Sequence, residues 1–155
     1  MHGPPIIPDE SEKRLWQSVE ELEILNNWRE SVLAYADIGV FDWPMDSETL
    51  YISPTNKRML GYEESEIADT YAGWLGLIEA DRQSEVEKKI QDALDRDSSS
   101  YNTLHRMQHK GGSTVWVLFR SRILRNPDGK ACRMLGAAIE ISDLRQQLAD
   151  AFPAG

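Results

Sequence analysis

The sequence predicts an α+β domain: a five-stranded antiparallel sheet with short helices over one face, flanked by an amphipathic helix at each end. Three observations carry this. Residues Tyr101 to Ser142 read as three β-rich runs, YNTLHRMQHK, STVWVLFRSRIL and KACRMLGAAIEIS, separated by Gly111-Gly112 and by Asn126-Pro127-Asp128-Gly129. Such short links make the runs antiparallel neighbours. Upstream, IGVFDW and TLYIS form a second β pair around the loop from Pro44 to Glu48. The helical patterns lie between the two groups of strands and do not alternate with them, which segregates helices to one side of the sheet.

Composition narrows the classes of function. With 155 residues the chain suits one domain, able to bury roughly two thirds of its unfolded surface. A net charge of −9 argues against nucleic acid and against an anionic membrane, both of which need a basic footprint. No apolar run approaches the ~20 residues of a membrane span. The segment MHGPPIIPDESEKR lacks the apolar centre of a signal peptide. The single cysteine, Cys132, has no partner for an internal disulfide and no companions for a metal cluster. A cytoplasmic location is the expectation.

Taken in order, residues 1–9 are a Pro-rich tail. Asp9 or Ser11 can then cap a helix over 10–35 with acidic residues in its first turn. Leu15, Val19, Leu22, Leu25, Trp28 and Val32 recur at helical spacing, and Trp16 and Ile24 fall beside that stripe. The expected use of the stripe is a homodimer seam or packing on the sheet as its outer cover; a heterologous partner is the alternative. The domain proper spans 36–142. Pro54 suits the first turn of a helix and Gly61 its end; Ser65 to Asp69 suggests one more helical turn, and YAGWLGLI is too glycine-rich to assign. Asp81 can cap a helix running to Arg96, with Val86, Ile90, Ala93 and Leu94 facing inward. In the last turn, Pro127 presets φ, Asn126 and Asp128 bond nearby backbone, and Gly129 accepts φ > 0. From 143 to 155 the chain starts an outgoing helix, with Ile141, Leu144, Leu148 and Phe152 on one side and Asp143, Arg145, Gln146 and Gln147 on the other.

These phrases carry a resemblance. GVFDWPMDSETLYISPTNKRMLGYEESEI, WLGLIEADR and HRMQHKGGSTVWVLFRSRILRNPDGKACRMLGAAIEIS, in this order and spacing, resemble a PAS sensory domain with its PAC segment over about residues 36–143. The resemblance implies a sheet cupping a small-molecule pocket. It also implies a sensor or dimerisation module feeding a histidine kinase of a two-component system, a diguanylate cyclase or a similar covalently linked output domain. The chain departs from the family at three places. Ile78-Glu79-Ala80-Asp81-Arg82 stands where I-H-P-D-D is frequent, His109-Lys110-Gly111-Gly112 stands for H-K-D-G, and Glu140-Ile141-Ser142 stands for the closing D-I-T that couples sheet to outgoing helix. The last is the expected relay point, its alternative being an N-cap beside a solvated acid.

Cofactor chemistry follows by comparison with members of that family. The photosensory members carry N-C-R-F-L-Q, which is absent here, so a cysteinyl-flavin adduct is not expected. Haem is not expected either, because the helix from Asp81 to Arg96 contains no histidine. His105 and His109, four apart on a strand, sit about 13 Å apart, too far for one metal. A noncovalent flavin, FAD or FMN, needs only an apolar slot and a few donors. Trp43, Trp74 and Trp116 are candidates to line it, or are core. Asp42, Asn102, His105 and Arg120 are the polar candidates, and Arg120 could grip an anion or sit on the outer surface. Strand parity stays open, since Val115, Val117 and Phe119 alternate with the equally apolar Trp116 and Leu118. No nucleophile–base pair, paired carboxylates or phosphate loop is legible, so the segment is not read as an enzyme. A ligand-free interaction module is the rival reading.

Overall fold

The computed structural model describes residues 3, 7 and 9–152. Most of the Pro-rich tail, and residues 153–155, lie outside the described residues. The chain forms two compact units, 1–36 and 37–155.

The first unit is helix α1, Glu10–Tyr35. Asp9 starts it with a reciprocal capping box: Glu12 N donates to Asp9 Oδ1 at 2.8 Å, and Asp9 N donates to Glu12 Oε2 at 3.3 Å. No residue of α1 is buried. Leu15, Trp16, Leu22, Ile24 and Trp28 are each about 60% exposed or more, so apolar surface spreads well beyond the stripe.

The second unit begins at Asp37, which is the one residue other than glycine with positive φ (55°) among those described. Strands β1 (Ile38–Pro44) and β2 (Tyr51–Ile52) lead into α2 (Pro54–Met59). Ser53 caps α2 by accepting from Asn56 N, and Pro54 occupies its first turn. Gly61 follows at φ +84°, and a Cβ there would lie 2.5 Å from the His109 ring. The expected helical turn at Ser65–Asp69 is instead a 3-10 turn over Glu64–Glu66. The stretch left unassigned becomes α3 (Tyr71–Leu75), capped by Thr70, whose hydroxyl accepts from Gly73 N at 3.0 Å. The glycine that obscured this helix permits its packing, since a Cβ on Gly73 would sit 2.2 Å from Ala68 O. Asp81 is not a cap: it lies in a 3-10 turn over Ala80–Arg82, and α4 (Gln83–Asp95) begins after it without a side-chain cap. Val86, Ile90 and Ala93 are buried along α4, and Leu94 is half-buried.

Strands β3 (Ser100–Gln108), β4 (Thr114–Arg125) and β5 (Ala131–Glu140) complete the sheet. Its order is β2-β1-β5-β4-β3, every neighbouring pair antiparallel. The Asn126–Gly129 turn is closed by Gly129 N to Asn126 O and Asn126 N to Lys130 O, both 2.8 Å, with Gly129 at φ +89°. Helix α5 (Ile141–Ala151) follows β5 without a loop. The side chains of Asp143, Leu144, Arg145 and Gln147 lie outside the described residues; Leu148 and Phe152 are exposed.

The core lies between one face of the sheet and α2, α3 and α4. It joins Phe41, Ile52, Met107, Val117, Phe119 and Met134 from strands to Leu60, Trp74, Leu77, Val86 and Ile90 from the helical side. Two cations hold its edges. Lys57, buried in α2, meets Asp69 Oδ1 and the Glu64 carbonyl, both at 2.9 Å. Arg125 spreads its guanidinium over the carbonyls of Ala93, Leu94, Arg96, Ser98 and Gly129, tying the C-terminal end of α4 to the β4–β5 turn. Cationic donors at the carbonyl end of a helix are favoured by its dipole. No helix among the described residues is long and apolar enough to cross a membrane.

Candidate functional site

Between the sheet and helices α3 and α4 lies a cavity of about 30 Å3. Strand parity builds its wall. On β3, Tyr101, Thr103 and His105 project to one face at every second position; on β4, Phe119 and Ser121 do so; β1 contributes Phe41 and Trp43, and β5 Met134. Leu50, Tyr71, Trp74 and Ile90 close it from the other side.

The aromatic rings meet at the centre. Trp74 stands edge-on to Phe119 (5.9 Å between centroids) and to His105 (5.8 Å), Phe41 edge-on to Phe119 (5.9 Å), and Trp43 stacks on Tyr71 at 4.8 Å. Edge-to-face and offset contacts of this kind satisfy the ring quadrupoles while filling space. This environment keeps the titratable groups of the wall uncharged. Burial lowers the pKa of His105 to about 4, helped by nearby Lys89 and Arg82. Burial, with the Glu87 charge adding to it, pushes the Tyr71 phenol up to about 12. Tyr101 is raised as well, by burial first, with the Thr103 hydroxyl opposing.

Of the seven residues read as ligand contacts, the structure brings Trp43, Trp74 and His105 to the cavity and places the other four on the opposite face of the sheet. Asp42 grips Arg133 with both carboxylate oxygens, Nε to Oδ1 at 2.7 Å. Trp116 is 39% exposed beneath Arg106, whose guanidinium carbon lies 5.7 Å from the indole centroid; Arg106 also meets Glu79 at 3.4 Å. Asn102 and Arg120 are cross-strand partners and both exposed. The reason is the two-residue period of a strand: Asp42 cannot share a face with Trp43, nor Asn102 with His105. The same period could have found Tyr101 and Thr103, which match His105. Phe41, Phe119 and Ser121 carried no signal of their own beyond their parity.

The fit of a flavin can be tested on this wall. A cavity of about 30 Å3 is an order of magnitude below the ~300 Å3 at which small-molecule sites begin. No charged side chain lines it to pair with the phosphates of FMN or FAD. The residues present do not fit that cofactor. Cys132, in β5, directs its thiol to Leu124 O at 3.4 Å and is not part of the wall. His109 accepts from Gly111 N at 2.9 Å in the β3–β4 turn. Among the described residues no cluster of three or more His, Cys, Asp or Glu is arranged to hold a metal.

Glu140 ends β5 opposite Val117, and Ile141 and Ser142 begin α5. Ile141 and Ser142 line a groove of about 290 Å3 with Leu104 and Trp116. Strand β4 thus carries cavity residues on one side and, a few positions away, a groove residue on the other.

Comparison with known proteins agrees with this architecture. A sensory box histidine kinase/response regulator from Burkholderia thailandensis is similar at TM-score 0.61 and 26% identity, over 79% of this chain and 89% of that one. The N-terminal domain of a diguanylate cyclase with PAS/PAC sensor from Marinobacter aquaeolei gives 0.60 at 16% identity, over 70% and 98%. The LOV protein of Rhodobacter sphaeroides gives 0.54 at 17%, over 74% and 68%. The latter two likenesses show the fold alone. No curated protein matches the sequence. The family model for the PAS fold matches residues 49–138, beginning after β1 although β1 is a full member of the sheet. On that match, more than half of its length, the chain belongs to the PAS fold family.

Proposed function

We propose that this domain is a sensory module that holds a small molecule between sheet and helices and relays its presence through α5 to a linked output domain of the kinase or cyclase kind. The observation that supports it is the double use of β4. Phe119 and Ser121 face the cavity, while Trp116 on the reverse side shares a groove with Ile141 and Ser142, where sheet becomes helix. A displacement of β4 by a guest would be felt at that groove with no intervening loop. The guest moves the equilibrium only in so far as it binds the two arrangements of β4 and α5 with different affinity.

Dimerisation through α1 belongs to this proposal. Leu15, Val19, Leu22, Leu25, Trp28 and Val32 are all exposed, as are Leu104 and Trp116 on the outer sheet face. That face also carries Arg106, Arg120, Arg122 and Arg133 in a chain of net charge −9, whereas α1 carries Glu20, Glu21, Glu23 and Glu30. A seam of α1 against its counterpart, or against the outer face of a second copy, covers apolar surface too large to leave in water. Replacing Leu22 and Leu25 together by Glu should reduce the molar mass in solution to that of one chain. An unchanged mass would remove α1 from the seam.

The rival reading, assembly without any ligand, is favoured by one observation: the rings of Trp74, Phe41, His105 and Phe119 already meet at the centre. An absorption spectrum of the purified protein, with mass spectrometry of whatever denaturation releases, tests the proposal. A released small molecule without flavin bands supports it. A released flavin would mean that the interior opens far beyond the geometry described. If nothing is released and no added compound changes hydrogen exchange in α5, the sensing reading fails and the assembly reading stands.

A further inference from the structure

The polar row in the cavity wall includes one hydroxyl that is closed off from solvent and has no hydrogen-bond partner among the described residues. Tyr101, Thr103 and His105 follow each other on β3, and Ser121 lies directly across the ladder from Tyr101. Tyr101 Oη is shut off from solvent and makes no hydrogen bond of normal geometry among the described residues. Thr103 is near enough to act on its ionisation, yet the contact falls short of a bond. A buried hydroxyl left unmet is costly, and in native proteins such a group nearly always meets water or a ligand. Beside it, about 30 Å3 is room for roughly two water-sized groups.

The charge of the guest follows from the rest of the wall. His105 is held neutral, Tyr71 is held protonated, and no carboxylate, ammonium or guanidinium lines the space. A charged guest would give up its hydration with nothing of opposite sign to replace it. A neutral imidazole, by contrast, offers one donor and one acceptor, and Ser121 offers both.

Resting on the reading of this cavity as the sensing site, we infer that it takes an uncharged guest of a few non-hydrogen atoms, whose acceptor atom receives the Tyr101 hydroxyl and whose other polar atom meets His105 or Ser121. Small neutral amides and alcohols have that chemistry, and so does water. Flavins, nucleotides, carboxylates and amines do not.

The test uses the full chain with acetamide as the probe, and acetate and methylammonium as charged counterparts of similar size. Resonances of Tyr101, His105 and Phe119 should shift saturably with acetamide and stay in place with both ions. Tyr101→Phe, which keeps the ring and the fold, should bind acetamide about fivefold more weakly, the effect of one hydrogen bond. If acetamide does not bind but Tyr101→Phe lowers the melting temperature by about 3 °C, the guest is water. That outcome upholds the hydrogen-bonding inference and removes its organic source. If acetamide does not bind and Tyr101→Phe melts at or above the parent temperature, the hydroxyl has no guest and the inference is overturned. Acetate binding as tightly as acetamide overturns it too. Failure of the relay is read separately: acetamide bound at Tyr101 with hydrogen exchange in α5 unmoved would sink the sensing function and leave the guest chemistry intact.

Discussion

The two faces of the sheet both carry large apolar side chains, and they differ in burial and in charge. On the helix side, Val115, Val117, Phe119, Ser121 and Ile123 of β4 are all buried. On the other side of the same strand, Trp116, Arg120, Arg122 and Leu124 are exposed. The inner face removes charge, holding even its histidine neutral, whereas the outer face collects arginines around Leu104, Trp116 and Leu118. Apolarity alone therefore does not say which face of a strand is core. Charge does, because an unpaired guanidinium is tolerated only where water reaches it.

The largest effect that would sharpen this contrast is on the inner face. Phe119→Ala removes a ring touching Phe41, Trp74 and His105 and should cost about 3–5 kcal/mol in urea unfolding. A loss comparable to that of an exposed residue would show the cavity to be far looser than described. Next in size is a pH effect confined to the inner face. The pKa of His105 falls from an ordinary 6.5 in the unfolded chain to about 4 in the fold. Between those values the unfolded chain binds the proton and the folded one does not, so stability drops as pH falls from about 6.5 to about 4 and is fully present above that window. The drop should be about 3 kcal/mol, and His105→Leu should abolish it. If the pH profile of the variant parallels that of the parent, His105 is not the group responsible.

On the outer face, Trp116→Ala should cost only about 1–2 kcal/mol in the single chain, since its site opens to solvent and leaves no closed cavity. A larger loss that depends on protein concentration would instead reveal a second copy seated there. Smallest of all is Arg133→Ala, which breaks an exposed ion pair with Asp42. Its melting temperature should stay within the scatter of replicate scans, and high salt should erase any residue of the difference.

Much of this was legible in the sequence because it is local. The Asn126–Gly129 turn, the Pro54 helix start and the 3.6-residue spacing of Val86, Ile90 and Ala93 each arise from a few adjacent residues. What was not legible depends on partners distant in the chain. Arg125 reads as one more arginine at a strand end, and only the fold brings five carbonyls around it. Lys57 reads as solvent-exposed until the loop carrying Glu64 and Asp69 closes over it. Gly73 argued against a helix that needs it for close approach to Ala68. The seven ligand candidates divide for a different cause: Trp43, Trp74 and His105 line the cavity, whereas Asn102 sits at an even position of β3 and so faces away from the consistent odd set of Tyr101, Thr103 and His105. Where both faces of a strand are apolar, parity has to be settled among the polar residues.

Strand β5 sits in the middle of the sheet, bonded to β1 on one flank and β4 on the other, and it runs straight into α5. A pull on α5 along the strand direction therefore loads two hydrogen-bonded ladders at once, in shear, instead of peeling a single edge strand one bond at a time. The outgoing helix is thus joined to a strand held on both flanks. Small axial shifts of α5 should be transmitted whole to the centre of the domain, and changes at the centre should reach α5 with little lost to the edges.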